Sequence, residues 1–240
     1  MDKHFVITLG RQLGGGGFKV GRELSRQMNI PFYDRELISL CAERTGIPRE
    51  IIESYDEKTA RNLFLSAWAA PVHAQQRPLG QQLFEAQLGT IRELAEKEPC
   101  IILGRCADFA LSGRPNVIRI FLYAPMQTRI ERIMKRKNLS EKDAKREIER
   151  IEKNRKSNYR FFTNCNWGET ETYDLCINTA TASLESICTL IRTYVKERLE
   201  NLPATWRRSP TPPPFSPRQT TIPKRSEKIL RAPLCSLKSF

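Results

Sequence analysis

The first residues whose types and spacing could do chemistry are Gly10-Arg11-Gln12-Leu13-Gly14-Gly15-Gly16-Gly17. They follow a short apolar, β-branched stretch, Phe5 to Leu9, and lead into Phe18–Met28, where Val20, Leu24 and Met28 recur at helical spacing. A glycine-rich turn between a strand and a helix exposes successive backbone N–H groups. With the helix dipole behind them, these groups form an anion cradle suited to a polyphosphate. The match to standard motifs is incomplete. In GxxxxGK[ST] the lysine would fall at Gly17, and Phe18 follows instead of a small residue. GxGxxG also fails, because its third glycine falls on Lys19 or Val20. Arg11 and Lys19 are the nearby cations that could stand in for the lysine.

A second group is Gly104-Arg105-Cys106-Ala107-Asp108, directly after the apolar run Cys100–Leu103. Arg105 offers a planar fork for phosphate, and Asp108 can accept from an amine or hydroxyl. The alternative is that the two pair with each other at a helix start. A third group is the basic run Arg146, Arg150, Lys153, Arg155, Lys156 and Arg160. Arg146, Arg150, Lys153 and Lys156 share one helix face by their spacing. That face is either solvated or a lid carrying cations to a transferring phosphoryl group. Asp34 closes the second apolar stretch as a helix cap or a substrate contact. His4 and His73 are isolated, so no metal-ligating set is read. No Ser or Cys nucleophile constellation is present, and the tryptophans do not interleave with basic residues as base-stacking platforms do.

The elements that must position these groups alternate. Strands are expected at 5–9, 30–33, 100–103, 117–123 and 175–178. Helices are expected at 18–28, after Asp34, after Pro48, and at 81–97, 126–137, 140–156 and 183–199. Ser140 with Asp143 resembles a capping box. Residues 57–80, with Pro71 and Pro78, read as a connection. Five strands alternating with helices predict an α/β fold: a parallel sheet covered on both faces, with ligands at the strands' carboxyl ends.

The 240 residues suit one domain with a small insert, and the net charge of +13 is not spread evenly. Residues 201–240 hold eight Lys/Arg against one acid, and residues 129–160 hold thirteen against six. Each segment is therefore +7 and the remaining body is close to neutral. Local anion sites fit this pattern better than a surface that coats nucleic acid. Residues 201–240 also hold eight of the fifteen prolines and no glycine. They read as a disordered basic tail, either a solvated appendage or a contact for RNA or an SH3-like partner. Seven cysteines without a CxxC pair argue against a disulfide framework or zinc site and suit a reducing cytoplasm. No apolar run reaches transmembrane length, and the first residues do not read as a signal peptide.

Taken together, the stretches ITLGRQLGGGGFKVGRELS, IPFYDRELI, LFEAQLGTIRELAEKEPCIILGRCADFAL and NVIRIFLYAP, with KNRKSNYRFFT, Trp167 and YDLCINT, carry a family resemblance. Over about residues 4–195 the chain resembles the cytidylate-kinase-like proteins, a bacterial branch of the nucleoside monophosphate kinases. The resemblance implies a P-loop-type three-layer α/β/α domain over residues 1–200, with a five-stranded parallel sheet. A helical substrate-side insert would span about 45–98 and a lid about 138–170, with the tail at 201–240. It implies transfer of the ATP γ-phosphoryl group to a monophosphate, CMP or dCMP by analogy, with Mg²⁺. Gly14, Gly15, Gly16 and Gly17 would hold the donor phosphates. Asp34, Arg105 and Asp108 would lie toward the acceptor, and Arg150, Arg155 and Arg160 would be lid cations. Ordinary cytidylate kinases carry a lysine followed by Ser or Gly in the loop, and this chain has neither. Two other readings stay open: a non-catalytic nucleotide-binding regulator, and an RNA-binding protein using the tail.

Overall fold

A computed structural model of the chain describes residues 4–34, 36–52 and 79–202. Of the connection expected at 57–80, residues 57–78 lie outside them, as do all but the first two residues of the tail. Five strands form one sheet: β1 (Val6–Arg11), β2 (Phe32–Tyr33), β3 (Cys100–Leu103), β4 (Val117–Tyr123) and β5 (Leu175–Asn178). Their order is β2-β3-β1-β4-β5, and every pairing is parallel. The expected α/β architecture is therefore the observed one.

The strands are apolar on both sides because both faces are covered. Ile7, Leu9, Ile101, Leu103, Ile118, Ile120 and Leu122 point to one face. There they pack on α1 (Gly17–Met28) and α7 (Leu184–Glu200) through Val20, Leu24, Ile187, Ile191 and Val195. Val6, Cys100, Ile102 and Val117 alternate to the other face. They meet α2 (Glu36–Thr45), α3 (Leu79–Lys97) and the short α4 (Ala107–Ala110) through Leu37, Leu88, Ile91 and Leu111. The period-two alternation of strand side chains thus splits each apolar run between two cores. A third cluster joins Leu13 of the glycine turn to Ile130 and Ile133 of α5 (Met126–Lys137) and to Ala144 and Ile148 of α6 (Glu141–Thr163).

Two element ends and one helix differ markedly from expectation. β1 runs two residues past Leu9, because Gly10 and Arg11 keep pairing with Phe121 and Leu122. Arg11 therefore stands on a strand rather than in a loop. α6 continues to Thr163 instead of ending near Lys156, since Tyr159 and Thr163 are also buried. Asn164 then closes it in the left-handed conformation. α4 was not anticipated. Ser140 caps α6 as expected, accepting from the Asp143 amide at 3.2 Å.

The loop after β1 leaves toward the α1 face, and the loop after the adjacent β3 leaves toward the α4 face. Neighbouring loops that part in this way open a crevice at the strands' carboxyl ends.

Candidate active site

The glycine turn is built by backbone geometry. Gly14 and Gly16 have φ of 80° and 81°, values that L side chains rarely adopt. Space is also limiting. A Cβ on Gly14 would lie 3.0 Å from the Arg129 backbone, and one on Gly15 would lie 2.8 Å from the Leu122 carbonyl oxygen. α1 begins at Gly17 with Gly16 as its cap residue, and no side chain caps it. Its first-turn N–H groups therefore face the crevice without a side-chain acceptor, the arrangement that favours an anion.

Four side chains fix this turn. Arg132 on α5 donates to the Gly14 carbonyl at 3.0 Å and to Thr179 Oγ1 and O at 2.8 and 2.9 Å. Thr179 Oγ1 donates to the Gly15 carbonyl at 3.1 Å. Glu152 of α6 accepts from the Leu13 amide at 3.2 Å and from Arg129 Nη1 at 2.5 Å. One turn further on, Arg155 Nη1 donates to the Arg11 carbonyl at 3.0 Å. α6 thus braces the turn at two points, and its carboxyl-terminal half belongs to the wall of the site.

The turn after β3 carries backbone strain. Gly104, Arg105 and Cys106 are consecutive and have φ of 70°, 57° and 55°. Two non-glycine residues in the left-handed region are costly. The turn is held by the Gly104 amide on the Leu9 carbonyl at 2.9 Å and by Gln87 Nε2 on the Arg105 carbonyl at 2.9 Å. Asp108 follows in α4 and is buried. Its carboxylate accepts from Tyr159 Oη at 2.8 Å and also bonds the Tyr173 hydroxyl. Burial pushes the Asp108 carboxyl above the ordinary aspartate range, against the pull of these hydrogen bonds. Burial and the neighbouring carboxyl push both tyrosine hydroxyls far up, so they stay protonated donors. Asp108 therefore answers to two tyrosines, which accounts for it without an Arg105–Asp108 pair.

One cleft of about 1890 Å³ joins these parts. Arg11, Lys19, Asp34, Arg105, Arg150 and Arg155 all line it, as do Gly14, Gly16 and Gly17, and Asp108 borders it from behind. Gly15 is buried beneath the turn. Within the cleft the expected residues differ in placement. Arg11 is half-buried, and its guanidinium lies 3.9 Å from the Asp34 carboxylate. Lys19 is exposed on the first turn of α1. Arg150 is exposed and paired with Glu147 at 2.9 Å. Arg160 lies outside the cleft, exposed, with Nη1 3.1 Å from Asn166 Oδ1. Lys153 and Lys156 also face solvent, away from the cleft. Beside Glu147 and Arg150, the cleft side of α6 carries Ile151, Asn154, Arg155, Asn158, Tyr159 and Phe162. That stripe was present in the sequence at three- and four-residue spacing, hidden by the charges on the opposite face. Arg132, Glu152, Tyr159, Tyr173 and Gln87 had no motif to mark them.

The donor chemistry of the cleft fits a nucleotide's phosphates. Uncapped N–H groups, a turn that a Cβ would fill, and several cations face the same space. Among the described residues no group of three or more His, Cys, Asp or Glu could hold a metal ion. Mg²⁺ readily keeps its waters and binds through substrate phosphates, so the cleft fits Mg²⁺ as a passenger on a nucleotide.

A five-stranded parallel sheet with a glycine turn after its first strand, opening on a helix N-terminus, defines the P-loop type of α/β protein. Within that class the chain belongs to the cytidylate kinase-like family, whose profile matches residues 6–181. It is 25% identical over 193 residues to the cytidylate kinase of Thermoplasma acidophilum, covering 80% of this chain and 92% of that one. It is 28% identical over 117 residues to the cytidylate kinase of Methanopyrus kandleri. That match spans 45% of this chain and 61% of the relative, less than two thirds of its length. Among solved structures, an uncharacterized protein from Eubacterium ventriosum superposes with a TM-score of 0.58 at 27% identity, covering 80% of this chain and 98% of that one. No helix among the described residues is long and apolar enough to cross a membrane.

Proposed function

We propose that this chain transfers the γ-phosphoryl group of ATP to a nucleoside monophosphate, with CMP and dCMP as the first candidates. The observation that carries the reading is the meeting of two phosphate-type turns in one cleft. The glycine turn after β1 supplies helix N–H groups, and the turn after β3 supplies Arg105. Membership of the family and the names of the two archaeal relatives support the choice of substrates.

Phosphoryl transfer asks little covalent chemistry of a protein. Positioning the two nucleotides in line and placing cations on the equatorial oxygens suffice. Gly14, Gly16 and Gly17 would seat the donor phosphates. Arg105 and Asp34 would face the acceptor, and Asp108 would hold Tyr159 and Tyr173 in the wall. Arg11, Lys19, Arg150 and Arg155 are the cations within the cleft. Mg²⁺ would neutralise donor charge, carried by the phosphate oxygens rather than by protein ligands. Residues at about 138–170, most of them in α6, would serve as the lid, and about 45–98 as the substrate side.

The second reading is binding without transfer. What favours it is the loop itself, where Gly17 stands at the lysine position and Lys19 points to solvent. A coupled assay of the full chain with ATP, Mg²⁺ and a panel of monophosphates separates the two. Turnover with CMP or dCMP above the other monophosphates supports transfer. Binding of ATP without turnover on any acceptor supports the second reading.

A further inference from the structure

The glycine at position 17 and the arginine at position 11 occupy each other's space. A Cβ built on Gly17 would lie 2.8 Å from Arg11 Cγ and 2.9 Å from Arg11 Cβ. Leu103 Cδ1 closes the remaining side at 3.3 Å. The backbone of Gly17 does not itself require glycine, because its φ is outside the left-handed region. What excludes a side chain there is the arginine stem. That stem runs across the first residue of α1, over the spot from which the lysine of a standard P-loop would leave the backbone. Its guanidinium then comes to rest on the acceptor turn: Nη1 lies 1.7 Å from where a Cβ of Gly104 would be. Gly104 is thus doubly required, by φ and by the guanidinium seated against it.

We propose that Arg11 is this chain's substitute for the P-loop lysine, delivered from the end of β1 instead of from the start of α1. The proposal rests on the transfer reading above and resolves which cation serves it. In a standard P-loop the lysine reaches the β- and γ-phosphates from the helix start. Here a longer side chain starts six residues earlier, crosses Gly17, and ends between the donor turn and the acceptor turn. The mounting is rigid. Arg11 pairs with Leu122 in the sheet, its carbonyl is held by Arg155, and Gln12 beside it donates to the Leu122 carbonyl at 3.0 Å. A group fixed on a strand is better placed than one on a loop to meet charge that develops only during transfer. Asp34, 3.9 Å from the guanidinium, holds it toward the acceptor side. Lys19 has no such mounting: it is exposed, and no hydrogen bond or ion pair to a described residue holds it in place.

The relation between positions 11 and 17 gives a test that a merely structural arginine would fail. Arg11→Met, Lys19→Met, Gly17→Lys and the double variant Arg11→Gly/Gly17→Lys are made in the full chain. Each is checked for folding by thermal melting. Two quantities are read: turnover with CMP, and the ratio of ATP to AMP affinity by calorimetry. Arg11→Met should lower turnover by about 10²-fold or more and reduce the ATP:AMP ratio by about tenfold. Lys19→Met should lower turnover and the ratio by at least about tenfold less than Arg11→Met does. Gly17→Lys alone should lose activity, because the new stem meets the arginine. The double variant should recover at least about tenfold in turnover over Arg11→Met, because removing Cβ and everything beyond it opens the path for a lysine from position 17. Should the double variant not fold, the single variants and the affinity ratio still decide. An active wild type whose Arg11→Met variant keeps its turnover, or whose Lys19→Met variant loses as much, overturns the assignment and leaves the transfer reading intact. A wild type that binds ATP but turns over no acceptor overturns the transfer reading. The affinity ratio then decides on Arg11 alone, and an unchanged ratio in Arg11→Met overturns this assignment as well. A wild type that binds no ATP overturns both.

Discussion

Arg129 and Glu152 form a nearly enclosed ion pair behind the glycine turn, with Nη1 and Oε1 2.5 Å apart and the two side chains 6% and 11% exposed. The same Oε1 accepts from the Leu13 amide. One carboxylate oxygen therefore ties together α5, α6 and the entry to the turn.

Glu152→Ala should be the most destabilising single charge removal in the domain. It leaves Arg129 buried without its counter-charge, which costs about 3–5 kcal/mol. Urea unfolding measures this directly. Arg150→Ala is the comparison: its pair with Glu147 is exposed, and the loss should be about 0–1 kcal/mol.

Asp108 gives a pH dependence with a defined sign. Burial raises its folded pKa. The unfolded chain ionises this group near pH 4, at about the ordinary aspartate value. Between that point and the higher folded value, the folded state holds the extra proton. Unfolding free energy should therefore fall as pH rises through this window and level off above it. In Asp108→Asn the fall should be absent. Urea midpoints of wild type and variant, measured every half unit upward from pH 4, check it. Parallel curves would remove the assignment.

Gly14 and Gly46 share a positive φ, 80° and 68°, but not their surroundings. A Cβ at Gly46 meets nothing within 4 Å, whereas at Gly14 it meets the Arg129 backbone. Gly46→Ala should cost only the backbone term, about 1–2 kcal/mol, and leave ATP affinity unchanged. Gly14→Ala must in addition displace backbone. It should lower ATP affinity by about tenfold or more, read by calorimetry.

Arg105→Ala should weaken monophosphate binding more than ATP binding, since Arg105 lies on the turn after β3 and the donor cradle lies after β1. Loss of a charged hydrogen-bond partner is worth about 1.5–3 kcal/mol, so the rise in KM for CMP should be at least about tenfold. Equal effects on the two nucleotides would remove its acceptor-side role.

Much of the fold was legible because parallel strands buried on both faces write themselves as uninterrupted apolar runs. Cys100–Leu103 and Val117–Tyr123 were located to the residue. The end of β1 was not, because Gly10 and Arg11 carry no strand preference. They are extended because β4 offers them partners. The glycine turn and the Gly104–Asp108 turn were legible from their place after strands. What escaped was everything defined by a partner distant in sequence. Arg132 reads as one more charge in a basic helix until Thr179 and Gly14 stand beside it. Glu152 reads as one more acid in a charged helix, and its burial depends on Arg129 and Leu13. In α6 the visible cations drew attention to the face that meets water. The cleft face, with Asn158 and Tyr159, is polar and aromatic in a pattern that resembles any helix side.

The three left-handed residues at Gly104–Cys106 set thermal robustness against recognition. Each non-glycine residue held there costs about 1–2 kcal/mol, and both sit on the turn that presents Arg105 to the cleft. Selection for heat resistance would find easy gains at this turn, by replacing Arg105 or Cys106 with glycine or asparagine. A glycine at 105 removes the guanidinium outright, and one at 106 loosens the backbone that aims it. A lineage or an engineer improving the melting point at these two positions would be selecting a calmer protein and, on the proposed transfer, a poorer grip on the acceptor.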